Sequence, residues 1–163
     1  MATKDELTKG LDVLIQEARR MSVDLTEKQW ERAVDLDGWR NKEVLAHVAG
    51  LGAIVVPLIN AMVNAPPGTD IASGNDVDAM NAGLLKSQSG KSAAELAEEI
   101  ATNYGAVAKF IASAPDEMLE QHATVGGHTD LPISDLLMRM IVLHGIGHIY
   151  SVYSGIFFAT SED

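Results

Sequence analysis

Residues 41–64 read NKEVLAHVAGLGAIVVPLINAMVN. Val44, His47, Val48, Leu51, Val55, Leu58 and Met62 recur three or four positions apart, the spacing of one face of an α-helix. The stretch predicts a helix over 41–64, in which Pro57 removes a backbone hydrogen bond and should introduce a kink. One member of the apolar stripe is an imidazole. A buried polar ring costs free energy unless something satisfies it, so His47 needs a partner.

Three further segments carry the same period. Residues 4–21 place Leu7, Leu11, Leu14, Ile15 and Ala18 on one stripe, and residues 93–112 do so with Leu96, Ile100, Tyr104, Val107 and Ile111. Ser92 with Glu95 forms a capping-box pattern that opens the latter. Residues 133–158 form the last helix, with the stripe Ile133, Leu136, Leu137, Met140, Ile141, His144, Gly147, His148, Ser151 and Gly155. Between the second and third long helices, Ala65-Pro66-Pro67-Gly68 leads into a polar connection with a shorter helical piece over 76–88. Residues 125–132, with Gly126, Gly127 and His128, read as a loop, and no segment alternates with period two. The expectation is one all-α domain over 1–163: a four-helix bundle with a long crossover containing a short helix.

At 163 residues the chain is long enough to bury about two-thirds of its unfolded surface. Twelve basic against twenty-three acidic residues give a net charge of −11, which disfavours nucleic acid and anionic membranes as partners. The absence of cysteine excludes disulfides, thiolate metal sites and cysteine nucleophiles. The start, MATKDELTKG, is charged and does not read as a secretory signal. No apolar run is expected to reach the roughly 20 residues a bilayer requires, so no membrane partner is expected and a cytoplasmic location is the default.

The last helix adds two more inward histidines to His47. His144 and His148 are four apart, which brings their Cβ atoms to roughly 5–6 Å and lets both rings share one cation. His47 lies about 9 Å from its helix start, and His144 and His148 about 21 and 15 Å from the end of theirs. Antiparallel packing of the two helices would bring all three to one level; parallel packing fits almost as well. Three imidazoles with an open position suit Zn²⁺, and also Ni²⁺, Fe²⁺ or Cu²⁺. A plain alternative is that the histidines only hydrogen-bond within the core.

Position 145 is glycine, so this is not the H-E-x-x-H of zinc proteases and no base is built in. Glu43, four residues before His47, is a candidate base, although an acid in the first turn also stabilises a helix N-terminus. His128 is a candidate proton shuttle or substrate contact. His122 reads as surface. Ser151 and Tyr104 either line the pocket or pack, and Asn81 and Asp78 read as anchors of the crossover. Arg139, five residues before His144, would face about 140° away from it on a regular helix, a poor anion clamp. Gly145, Gly147 and Gly50 either clear space for a ligand or allow close helix approach. Ile156, Phe157 and Phe158 suggest a covered surface such as a dimer contact.

Trp39, the run from Asn41 to Gly50 around His47, and His144-Gly145-Ile146-Gly147-His148 together resemble the DinB/YfiT-like superfamily. Asp76-Val77-Asp78-Ala79-Met80-Asn81 and the capped helix after it look most like the mycothiol-dependent maleylpyruvate isomerase N-terminal domain group. This resemblance implies an up-down-down-up four-helix bundle, often a homodimer, with a divalent metal on His47, His144 and His148. It also implies a small-molecule substrate and a low-molecular-weight thiol cosubstrate, in a transferase or isomerase. A metal-dependent hydrolase and a noncatalytic ligand-binding bundle are the alternatives.

Overall fold

The computed structural model describes residues 1–33 and 38–159, the side chains of 129 and 157–159 excepted. Helix α1 is Lys4–Asp24, α2 Glu27–Trp30, α3 Asn41–Asn64, α4 Val77–Ser87, α5 Ala93–Ser113 and α6 Asp116–Glu120. Strands β1 (His122–Val125) and β2 (His128–Pro132) follow, then α7 (Ile133–Leu137), a π-helical turn at Met138–Leu143, and α8 (His144–Ala159).

Side-chain chemistry sets the helix starts. Thr3 with Glu6 and Ser92 with Glu95 form reciprocal capping boxes at α1 and α5. Asp76 accepts from the Ala79 N–H and caps α4. Helix α3 continues through Pro57 to Asn64.

The long helices pack as a ring, α1 against α5, α5 against α3, α3 against α8, and the last helix back against α1. Ala2 meets Asp135, Gly10 meets Val142 and Gly145 meets Leu14, so α1 and the last helix run the same way. Lys4 reaches Ala114 whereas Arg19 pairs with Glu98, so α1 and α5 are antiparallel. Residues 42–46 lie beside 91–96, and Asn103 and Tyr104 bond the carbonyls of Ala49 and Val48, so α3 and α5 are parallel. These pairings give the expected up-down-down-up order, with α4 inside the crossover.

The predicted stripes of α1 and α5 form the core, Ile15 lying at its edge. On α3, Leu51 and Leu58 are only half-buried, and Ile59 is fully buried instead.

The last helix departs from expectation. Ile133, Leu136, Leu137 and Ile141 are buried as predicted, but the core face then continues through Val142, Gly145, Ile149, Val152 and Ile156. Each position in α8 is one residue later than the predicted stripe. A π-turn closes i→i+5 bonds and so inserts one residue, rotating everything after it by about 100°. His144 and Gly147 are therefore exposed and His148 half-buried, rather than core-facing.

Residues 122–132 are a β-hairpin and not a loop, with His122 opposite Pro132 and Val125 opposite His128. Gly126 (φ 57°) and Gly127 (φ 83°) supply the two positive φ angles that a tight two-residue turn requires. The hairpin is tied to the crossover by Asp70, whose carboxylate accepts from the Gly126 and Gly127 N–H groups. Those bonds hold the Asp70 carboxyl below the usual carboxylate range.

Asn41–Asn64 and Ile133–Ile156 are each long and apolar enough to cross a membrane, contrary to the expectation that no run reaches that length. Both have the composition of bundle core helices, and each lays one face against its neighbours here. The side chains of Phe157 and Phe158 lie outside the described residues, and Ile156 is buried.

Helical glycines separate by what they touch. A Cβ on Gly52 would lie 2.6 Å from the Tyr104 ring, whereas Gly105 faces open space. Gly105→Ala should raise the thermal midpoint, because alanine gains about 1 kcal/mol in a helix interior. Gly52→Ala should lower it, because overpacking against a buried ring costs about 1–3 kcal/mol. Calorimetry of the two variants checks the contrast.

Candidate metal centre

His47 lies in the second turn of α3, where Tyr104 Oη donates to the Val48 carbonyl at 3.0 Å and Asn103 Nδ2 to that of Ala49 at 3.3 Å. Tyr104 is fully buried, and burial pushes its phenol above the ordinary range, so it remains a donor. Gly52 beneath its ring permits the approach. The start of α3 is fixed by Asn41, whose side chain donates to the Gln29 carbonyl. His144 and His148 come from the first turns of α8, past the π-turn.

The three rings converge. His47 Nε2 lies 3.3 Å from His144 Nε2, and His148 Nε2 lies 3.0 Å from the same atom. One nitrogen from each ring falls within 4.8 Å of the other two. Trp39 lies over the group, 5.2 Å from the His47 ring centroid and stacked on His148 at 6.5 Å.

Burial lowers the pKa of His47 to about 4, helped by the neighbouring His144. Burial, with His144 and His47 adding to it, does the same for His148, also to about 4. His144 is lowered by burial as well. At neutral pH all three are uncharged rings with lone pairs available. His144 Nε2 offers either one hydrogen or one lone pair, so it satisfies only one of its two short contacts. His47 Nδ1 is buried and meets no hydrogen-bond partner among the described residues.

A tetrahedral ion at the usual Zn–N length of about 2.0–2.1 Å holds its nitrogens about 3.3 Å apart. An octahedral ion at a similar length holds adjacent nitrogens about 3.0 Å apart. The two spacings to His144, 3.3 and 3.0 Å, match these figures, and the third pair lies within 4.8 Å, so the three rings could hold a divalent cation.

The rings border a cavity of about 420 Å³. Helix α4 supplies Val77, Met80 and Asn81 to it, α3 adds Leu51, and the hairpin brings His128. Asn81 thus lines the cavity instead of only anchoring the crossover. Met140 and Arg139 complete the wall from the π-turn. The expectation that Arg139 faces away is corrected: five residues make one π-turn, so Arg139 and His144 share a face.

Glu43 is not brought to this cavity. Its carboxylate accepts from the Arg40 N–H at 2.7 Å as an N-terminal cap, and it lines a separate cleft with Lys42, Gln88 and Lys91. Ser151 donates to the His148 carbonyl, and His122 pairs with Asp130 on the surface. Gly145 and Gly50 pack against Leu14 and Leu84, which assigns them to close helix approach, whereas Gly147 faces open space. Asp70, which seats the hairpin carrying His128, was missed by the motif search. The Gly126-Gly127 pair was its available signal, a two-residue hairpin turn.

Two solved structures share this fold. An uncharacterised protein from Clostridium difficile 630 is 14% identical with a TM-score of 0.73, covering 94% of this chain and 95% of that one. A protein from Streptococcus pneumoniae is 13% identical with a TM-score of 0.72, covering 94% and 90%. Identities this low establish the fold alone. No curated protein matches the chain. The family model of the mycothiol maleylpyruvate isomerase N-terminal domain matches residues 11–144, a span that takes in His47, the crossover and His144, and the chain belongs to that family.

Proposed function

We propose that the chain is a divalent-metal-dependent enzyme acting on a small organic molecule, with a low-molecular-weight thiol as cosubstrate in a transfer or isomerisation. The observation that carries this reading is the convergence of three neutral imidazole nitrogens at 3.0 and 3.3 Å. His47, His144 and His148 would hold Zn²⁺ or Ni²⁺, both suited to imidazole. A cation there supplies Lewis acidity, which favours the deprotonated form of a thiol.

The chain's own residues do the rest. Trp39, Val77 and Met80 wall the cavity with apolar surface and limit water. Asn81 offers an amide donor and acceptor to a substrate. His128, on the hairpin, is the titratable base of the cavity outside the triad, and it would accept the thiol or substrate proton. Glu43 takes no part beyond capping α3. The family to which the chain belongs supports the thiol component, and the neutral, lone-pair-bearing triad supports the metal.

Tag-free protein that has never met a metal column should carry close to one divalent ion per chain, measured by elemental analysis. His47→Ala should lose it. Ion-free wild type with no thermal shift on adding Zn²⁺ or Ni²⁺ would remove the reading. Metal-dependent consumption of a thiol with an electrophile then tests turnover.

The metal-free protein should also show a defined pH response. His47 and His148 titrate near 4 in the fold and near 6.5 when unfolded. Between those values the unfolded chain binds protons that the fold does not, so stability rises with pH there. Their contribution is complete above about 6.5 and is lost as pH falls towards 4. Urea midpoints against pH should drop across that window, less steeply in His47→Gln/His148→Gln.

A further inference from the structure

Helix α4 supplies Val77, Met80 and Asn81 to the histidine cavity, and it is held differently from the bundle helices. Among the described residues, α1, α3 and α5 each bury a stripe of side chains, whereas α4 buries none of its own. Its two halves also differ. Residues 77–80 are all exposed. Leu84 and Leu85 are half-buried, and a Cβ on Gly50 would lie 3.2 Å from Leu84. Just beyond the helix, the buried Gln88 donates to Glu99 Oε1 at 3.0 Å and accepts from Lys91 Nζ at 2.8 Å. Lys91 also pairs with Glu99. The half that walls the cavity is therefore the half without an anchor.

A glycine stands at each end of that loose half. Residues 70–72 are fixed to the hairpin, since the Ile71 N–H donates to the Thr124 carbonyl and Asp70 accepts from Gly126 and Gly127. Gly74 follows at φ 78°. Gly83 lies between Asn81 and Leu84, and an added Cβ there would meet nothing within 4 Å, so packing does not require it. Glycine weakens a helix interior relative to alanine. Gly105 does the same to α5, but the buried stripe of α5 holds that helix in place. Helix α4 has no such stripe, and segments with few buried apolar contacts open at low cost. His144 is exposed, so the cavity stands open to water.

We propose that residues 75–82 form a flap, hinged at Gly74 and Gly83, which closes over the histidine cavity while residues 84–88 stay seated. Closing carries Val77 and Met80, 58% and 40% exposed, towards Trp39 on the same cavity and takes their apolar surface out of water. The flap serves the cavity of the metal-enzyme reading, but its hinges belong to the chain and act without the ion.

The absence of cysteine allows a single probe to be placed on the flap. Val77→Cys carries a bimane label, which Trp39 quenches on contact. The metal-free protein should show two fluorescence lifetimes, and Trp39→Phe should remove the shorter. Gly83→Ala should reduce the quenched fraction. The N–H groups of residues 84–86 bond across the hinge to the carbonyls of 80–82. Gly83→Ala should slow their hydrogen exchange about fivefold, and Gly105→Ala should change neither readout. Val77 and Gly83 are exposed, so neither substitution puts folding at stake. A single lifetime indifferent to Trp39→Phe, exchange at 84–86 unmoved by Gly83→Ala, or the same response to Gly105→Ala would overturn the proposal. Every readout is taken on metal-free protein, so the flap stands or falls separately from the metal reading, which elemental analysis decides.

Discussion

Val142 packs where Gly10 has no side chain, and the rest of the site depends on that contact. A Cβ on Gly10 would lie 2.4 Å from Val142 Cγ1. Helix α1 therefore packs closely on the last helix at its π-turn. The extra residue held there turns α8 so that Gly145, Ile149, Val152 and Ile156 meet the bundle. His144 and His148 are released from the core and swing to the α3 side. On a regular helix the predicted stripe would have pointed both rings into the core, away from the position they share with His47 here. A π-turn gives up regular hydrogen bonding and is usually found where function needs it; here it converts a core stripe into one wall of a cavity.

Electrostatics and packing then act together. Three uncharged rings with their nitrogens aimed at one point are poorly satisfied by one another, since a single Nε2 of His144 serves two neighbours. Their depressed pKa values make a shared proton a weak remedy at neutral pH. A cation is a strong one, because it takes all three lone pairs at once. The surroundings agree with this, for a cavity free of carboxylates neither neutralises the ion nor competes with the histidines as ligand.

Much of this was legible in the sequence, and what was not has physical causes. The stripes of α1 and α5 follow from the 3.6-residue period, as do both capping boxes. His47 was found because a histidine on an apolar stripe stands out. His144 and His148 were found by spacing, but their orientation was misjudged, since a π-turn leaves no mark in a period analysis. Met138 to Leu143 have ordinary side chains, and the residue that packs closely on the insertion, Gly10, lies on another helix. Arg139 was dismissed for the same reason. The hairpin was missed because its strands are short and bulged between Ala123 and Val125, so alternation never develops. Glu43 was overvalued because helical spacing places it near His47 on paper, while its carboxylate is already used by the Arg40 N–H.

The site divides into a fixed part and an adjustable part. The triad sits on two bundle helices, pinned by Tyr104, Gly52 and the α1 contact, so its geometry is set by the core. The substrate wall comes from elements outside the bundle: α4 in the crossover, the hairpin seated by Asp70, and Trp39 ahead of α3. Such connecting elements tolerate sequence change that a packed core does not. A chain built this way can keep one cation geometry and alter its chemistry through α4 and the hairpin. Two solved structures share the fold at 13 and 14% identity, which fits a core that constrains shape while identity drifts. Reaction class therefore has to be read from the residues that line the histidine cavity, among them His128, Asn81 and Arg139.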